Sequence, residues 1–277
     1  MKKLLPVLTC CLIGFYPLLS EADLDSDLKA FKGYFKAKFP SVEEPDYQNG
    51  VYAIDSASRE QWVEMEEFPP YELHVDNGEI VFHKKFKNGK SLATCFPDYK
   101  EGVKHKYPYF SETDKRGVIT LELAINDCLK ANGERPFKYK KGKMGDVSAY
   151  LSYLSRGKVT QVKLDSDGAK AAYERGKQFF YAKRGQLNLS CADCHVYNSG
   201  NRVRADLLSP ALGHTSHFPV YRSKWGNLGT MHRRYGGCNK QVRAKPFKAQ
   251  SKQYRELELF HTAMSNGQVI NAPGQRK

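Results

Sequence analysis

Residues 191–195 read Cys-Ala-Asp-Cys-His. In a C-x-x-C-H run the two thiols can add across the vinyl groups of a haem. With those links pinning one edge of the porphyrin, the next side chain is the one placed to reach the iron. Cys191 and Cys194 are therefore the expected attachment points and His195 the expected proximal ligand. A cysteine redox pair needs no histidine, and a zinc site needs two further ligands at paired spacing. No second such run occurs, so the chain predicts one covalently bound haem c.

The opposite side of the iron has several candidates. Met231 would complete a simple electron-transfer cytochrome, and His214, His217 and His232 are also available. Cys238 stands in Arg233-Arg234-Tyr235-Gly236-Gly237-Cys238-Asn239. Paired glycines let the backbone approach a bulky cofactor, and two arginines favour a thiolate. The plainer alternative is a buried structural cysteine beside a glycine turn. Outside the haem run and the leader described below three cysteines remain, Cys95, Cys128 and Cys238, and Cys95 with Cys128 is the expected disulfide of an exported chain. Such a bridge closes a loop of about 33 residues and is worth ~3–4 kcal/mol of loop-closure entropy. Cys238 is then the odd cysteine, which calls for reactivity, ligation or intermolecular bonding.

Lys2 and Lys3 precede an apolar stretch from Leu4 to Leu19, and Ser20-Glu21-Ala22 offers a cleavage site. Residues 1–22 therefore read as a secretory signal peptide, which predicts a periplasmic protein with no membrane span in the mature chain. The formal net charge of the whole chain is +14. The lysines are spread rather than grouped into a nucleic-acid motif, so an anionic substrate or an acidic protein partner is the better fit.

Helical spacing of Leu28, Phe31, Tyr34, Phe35 and Phe39 predicts an amphipathic helix ending at Pro40. Further helices are expected over Ala57–Phe68, from Leu121 to Asn132-Gly133, and from Val147 to Gly157. Glu79–His83, after Asn77-Gly78, reads as a short strand. The aperiodic stretch from Gly157 to Gly168 marks a boundary between a first domain, 23–160, and a haem domain, 161–277. There Ser166 or Asp167 caps a helix leading to the haem run, and Tyr254–Met264 forms the closing helix. Leu-Glu-Leu at 121–123 leads to Asn132-Gly133, and Leu-Glu-Leu at 257–259 leads to Asn266-Gly267, a weak echo that suggests duplication. The expected class is mainly α: two cytochrome c-like domains, the first without haem and disulfide-bonded.

Together, Cys191–His195, Arg234-Tyr-Gly-Gly-Cys-Asn239, Gln250-Ser251 with Tyr254-Arg255, Met264-Ser-Asn-Gly267 and Asn271-Ala-Pro-Gly274 resemble the SoxA subunits of bacterial SoxAX cytochrome complexes. The resemblance covers most of the mature sequence and points to a single-haem member. It implies an L-cysteine S-thiosulfotransferase that couples thiosulfate oxidatively to a cysteine of a carrier protein. Cys238 would be the catalytic residue, carried as a persulfide that ligates iron opposite His195, and Arg234 the substrate-binding residue. The implied partners are a SoxX-like small cytochrome c, forming a heterodimer, and a SoxYZ-like sulfur carrier. The competing reading is an electron-transfer cytochrome with His195 and Met231 on the iron.

Overall fold

The computed structural model describes residues 23–276; the expected signal peptide, with Cys10 and Cys11, lies outside the described residues. Eight α-helices dominate: α1 (Leu24–Lys38), α2 (Ser56–Glu66), α3 (Glu72–His83), α4 (Leu121–Ala131), α5 (Lys143–Tyr153), α6 (Asp167–Tyr181), α7 (Met231–Gln241) and α8 (Lys252–Ala263). Oxygen-bearing caps start many of them. Asp23 accepts from the first turn of α1, Thr120 from Leu123 N–H, Ser166 from Ala169 N–H and Ser251 from Tyr254 N–H. Each cap satisfies a backbone donor that has no partner inside the helix.

Residues 79–83, expected as a strand, form the last turns of α3 instead. Asn77-Gly78 is not a turn there. Gly78 is helical because a Cβ at that position would lie 2.1 Å from the Asp146 carbonyl oxygen of α5. The glycine is a packing notch where two helix backbones cross closely.

The same notch recurs in the second half, where a Cβ on Gly176 of α6 would lie 2.1 Å from the Glu256 carbonyl of α8. The two halves thus repeat a pattern of positions, but in a different register from the Leu-Glu-Leu echo. α4 corresponds to α7, with Leu121 matching Met231 and Cys128 matching Cys238. Asp146 and Tyr150 of α5 then match Glu256 and Phe260 of α8. Thr120 and Thr230 cap the paired helices, and Pro136-Phe137 matches Pro246-Phe247. The chain-end segments of the two units pair reciprocally. Gly157 N–H donates to Ile270 O and Thr160 N–H to Gln268 O, while Gly267 N–H donates to Thr160 O and Ile270 N–H to Lys158 O. The aperiodic stretch after Gly157 is therefore where the two end segments pair, around the antiparallel bridge of Val159 with Val269.

Each unit has its own apolar core. The first gathers Phe82, Leu92, Ile125, Cys128, Met144, Val147 and Leu151; the second gathers Tyr173, Phe180, Met231, Tyr235, Leu257 and Phe260. α1 serves the second, since Phe31 and Phe35 are buried in that core and Asp27 bonds Tyr173 and Lys177 of α6. Short strands complete the fold: β1 (Tyr109–Phe110) with β2 (Val118–Ile119), β3 (Arg202–Val203) with β4 (Asp206–Leu207), and a sheet of β5 (Val220–Arg222), β6 (Asn227–Gly229) and β7 (Gly274–Arg276). β5 is central, antiparallel to β6 and parallel to β7. The mainly α expectation holds. Among the described residues no helix is long and apolar enough to cross a membrane.

Candidate functional site

Cys191 and Cys194 lie on either side of a tight π-helical turn start, with Asp193–Tyr197 forming the turn. Ser190 and Asp193 lock it reciprocally: Ser190 N–H and Oγ bond the Asp193 carboxylate at 2.8 and 2.9 Å, and Asp193 N–H donates to Ser190 Oγ at 2.9 Å. α1 braces the far end, because Tyr34 and Lys38 both donate to the Val196 carbonyl. His195 Nδ1 lies 2.9 Å from the Ser209 carbonyl, so that nitrogen carries the proton and Nε2 keeps its lone pair. His195 is also one of the groups whose proximity acts on the Cys238 thiol.

Cys238 sits on α7, the helix that also carries Arg233 and Arg234. Burial pushes its thiol up, but the positive charge of Arg234, then His195 and Arg222, outweigh that and bring it down to about 7. The other two thiols move oppositely. Burial is the main cause in both, raising Cys191 to about 12 and Cys194 above the ordinary thiol value. One activated sulfur thus faces two that stay protonated.

The two arginines differ. The Arg233 guanidinium lies 4.2 Å from the Trp225 ring and donates to the Leu228 carbonyl, so it pins α7 to the β5–β6 hairpin. Gly229 makes room for that stack, since a Cβ there would be 2.4 Å from the indole. Arg234 makes no hydrogen bond or ion pair with any other side chain among the described residues, and its charge falls on Cys238. Arg222, at the end of β5, adds a second positive charge; burial and then Arg234 lower its own pKa to about 10.

The rival distal ligands are otherwise engaged. Met231 is buried in the second core at the first turn of α7, and its counterpart Leu121 is buried in the first. Seven residues separate it from Cys238, about 10 Å along a helix. His232 Nδ1 accepts from Gln250 N–H, and its Nε2 bonds Tyr254 O at 3.1 Å and lies 2.9 Å from a Glu258 carboxylate oxygen, so both nitrogens are used. His217 Nδ1 lies 3.1 Å from Gln48 O, and His214 Nε2 lies 2.6 Å from Ser209 Oγ. Burial holds His214 and His217 well below the ordinary histidine range and lowers His261 to about 3.

The donor set suits a covalently attached haem. Cys191 and Cys194 are free thiols, His195 presents Nε2, and a thiol on α7 faces it. In the first unit Cys95 and Cys128 are joined as a disulfide. Sequence reasoning did not single out Ser209, Arg222 or Trp225. The β5–β6 hairpin folded back on α7 brings Arg222 and Trp225 to the site, and the loop after β4 brings Ser209 to His195; no local spacing signals either.

These features define a c-type cytochrome built from a repeated helical pattern, with an activated cysteine where a plain electron carrier would have none. Residues 77–159 match the family model described as SoxA/TsdA, cytochrome c domain, which falls on the first unit. The chain is 56% identical over 93% of its length to the L-cysteine S-thiosulfotransferase subunit SoxA of Chlorobaculum tepidum, and covers 89% of that protein. It is 49% identical to the protein of the same name from Allochromatium vinosum, over 94% of this chain and 92% of the relative. The crystal structure of SoxXA from P. pantotrophus contains a chain that superposes with a TM-score of 0.72 at 31% identity, covering 79% of this chain and 84% of that one. The chain belongs to the SoxA family of L-cysteine S-thiosulfotransferase subunits.

Proposed function

We propose that this chain joins thiosulfate to a cysteine of a SoxYZ-like carrier protein, using Cys238 as the catalytic sulfur and Arg234 as the anion-binding residue. The observation that carries this reading is the free thiol of Cys238 on the same helix, α7, as Arg234, whose guanidinium makes no hydrogen bond or ion pair with another side chain among the described residues. One haem c, held by Cys191 and Cys194 with His195 as a ligand, would supply a one-electron acceptor next to the reacting sulfur. The domains are a haem-less unit ending at the 157–160 segment and a haem unit after it. The leader at 1–22 directs the protein to the periplasm.

Arg234 can hold two sulfonate oxygens through paired charge-assisted hydrogen bonds, which aims the terminal sulfur of thiosulfate at Cys238. Forming the bond releases the thiol proton and two electrons: Cys238–SH and thiosulfate give Cys238–S–SSO3⁻, H⁺ and two electrons. The carrier thiolate then attacks the sulfane sulfur, taking the thiosulfonate group and freeing the Cys238 thiolate. One iron centre accepts a single electron at a time, so a second acceptor is required. A SoxX-like small cytochrome c, bound as a heterodimer, fills that role.

The test is single-turnover labelling with thiosulfate radiolabelled in its outer sulfur. Label should transfer to the carrier with the native protein and vanish with Cys238→Ser. Undiminished transfer by Cys238→Ser overturns the assignment.

A further inference from the structure

Three buried side chains behind the site have no part in the chemistry above. Ser209 touches two of the imidazoles: its carbonyl accepts from His195 Nδ1 at 2.9 Å, and its Oγ lies 2.6 Å from His214 Nε2. The His214 ring stands edge-on to His195 at 4.7 Å and to His261 at 5.2 Å. His261 Nδ1 lies 3.1 Å from the Tyr235 hydroxyl. Tyr235 is on α7, one turn before Cys238. His214, His261 and Tyr235 are all under 9% exposed. The contacts thus run without a break from the His195 turn to the helix bearing Cys238.

The repeated pattern supplies an internal control. Tyr235 and His261 correspond to Ile125 and Leu151, both fully buried in the first core. Ser155 and Ser265 occupy matching places, each accepting from a loop N–H and donating to the carbonyl of Leu151 or His261. The same helix pair therefore packs with apolar residues in the half whose cysteine is tied up in a disulfide. Burying a phenol and an imidazole costs desolvation that a leucine avoids, so the fold alone does not call for this polar pair.

We infer that Tyr235, His261 and His214 form a positioning bridge that sets the separation and orientation of His195 relative to Cys238. The inference rests on the proposed ligation by His195 and the proposed role of Cys238. Groups behind a metal-ligating histidine fix its orientation and tune the metal, and their loss typically costs about 10–100-fold in activity or affinity. The bridge acts through placement, since none of its members touches the reacting sulfur.

The test compares Tyr235→Phe, His261→Leu and His261→Gln in the haem-loaded full chain, by electron paramagnetic resonance of the ferric state and by midpoint potential. Tyr235→Phe and His261→Leu should both split or shift the low-spin signal, move the potential and lower kcat about tenfold with KM for thiosulfate unchanged. Glutamine keeps an acceptor for the Tyr235 hydroxyl, so His261→Gln should stay close to the native spectrum. Leu151 holds the matching position in the first unit, so His261→Leu should also fold, which a thermal melt checks. Native spectra and potentials in both Tyr235→Phe and His261→Leu overturn the bridge, as does a His261→Gln shift as large as that of His261→Leu. These readouts do not depend on thiosulfate turnover. Loss of sulfur transfer with unchanged spectra would count against the bridge alone, and absence of transfer in the native protein against the proposed reaction alone.

Discussion

The two halves of this chain apply one helical plan to opposite ends. In the first, Cys128 of α4 is bonded to Cys95; in the second, the matching Cys238 of α7 is a free thiol facing His195 and Arg234. Position for position, Asn126 and Asp127 of α4 become Gly236 and Gly237, and Ile125 becomes Tyr235. Asn126 bonds the Phe137 backbone and Asp127 pairs with Arg116, so those side chains fasten the first unit. The helix geometry tolerates side chains at these positions, as the first half demonstrates. The second half has given up local fastening around its cysteine and placed charge there instead.

The largest expected contrast comes from the two cysteine positions. Cys238→Ser should abolish sulfur transfer and leave the melting temperature nearly unchanged. Replacing Cys95 and Cys128 together with serine should cost ~3–4 kcal/mol of stability, yet leave turnover per folded molecule intact. Denaturant unfolding and turnover measured on the same samples separate the two; a double mutant that loses turnover while folded would break the division of labour.

Next come the neighbouring arginines. Arg234→Ala should lower kcat/KM for thiosulfate by roughly 10- to 150-fold, the loss of a charge-assisted contact worth about 1.5–3 kcal/mol. Arg233→Ala should instead loosen the Trp225 stack, lowering the melting temperature with a smaller kinetic effect. Steady-state kinetics with both variants decide the order, and a larger kinetic loss in Arg233→Ala would reverse the roles assigned here.

The two packing glycines sharpen the symmetry. Gly78→Ala and Gly176→Ala each drive a methyl into a carbonyl across a helix crossing and should cost about 1–3 kcal/mol or more. Only Gly176→Ala should also disturb haem retention, read from the absorbance of the purified protein.

What the sequence could disclose followed from locality. C-x-x-C-H is a contiguous signal, and helices such as α4 and α8 announce themselves by the spacing of their apolar residues. α3 was obscured because Gly78, required by the close approach of α5, looks in one dimension like a turn. The repeat was masked by an accidental likeness: Leu121–Leu123 opens α4, whereas Leu257–Leu259 lies inside α8, a different member of the unit. The true register is carried by scattered matches such as Cys128 with Cys238 and Gly157 with Gly267. Ser209 and Arg222 reach the site through tertiary folding, which no window of sequence contains.

The smallest effect concerns acid stability of the first half. Hydrogen bonds from Arg116 hold the Asp114 carboxyl down at about 2. A depressed carboxyl contributes stability above its unfolded pKa, near 3.8, and loses it as pH falls through about 2. Because the pair is partly exposed, the contribution is small. Asp114→Asn should flatten the decline in melting temperature over that acid range and leave it unchanged in slope at neutral pH; an equal decline in both proteins would remove this pair from the account.

The most direct test of the central claim is electron paramagnetic resonance of the ferric protein alongside Cys238→Ser and Met231→Leu. A thiolate-type low-spin signal that persists in Met231→Leu and disappears in Cys238→Ser is the predicted result. A methionine-type signal that disappears in Met231→Leu and persists in Cys238→Ser would contradict it and make the chain a simple electron carrier.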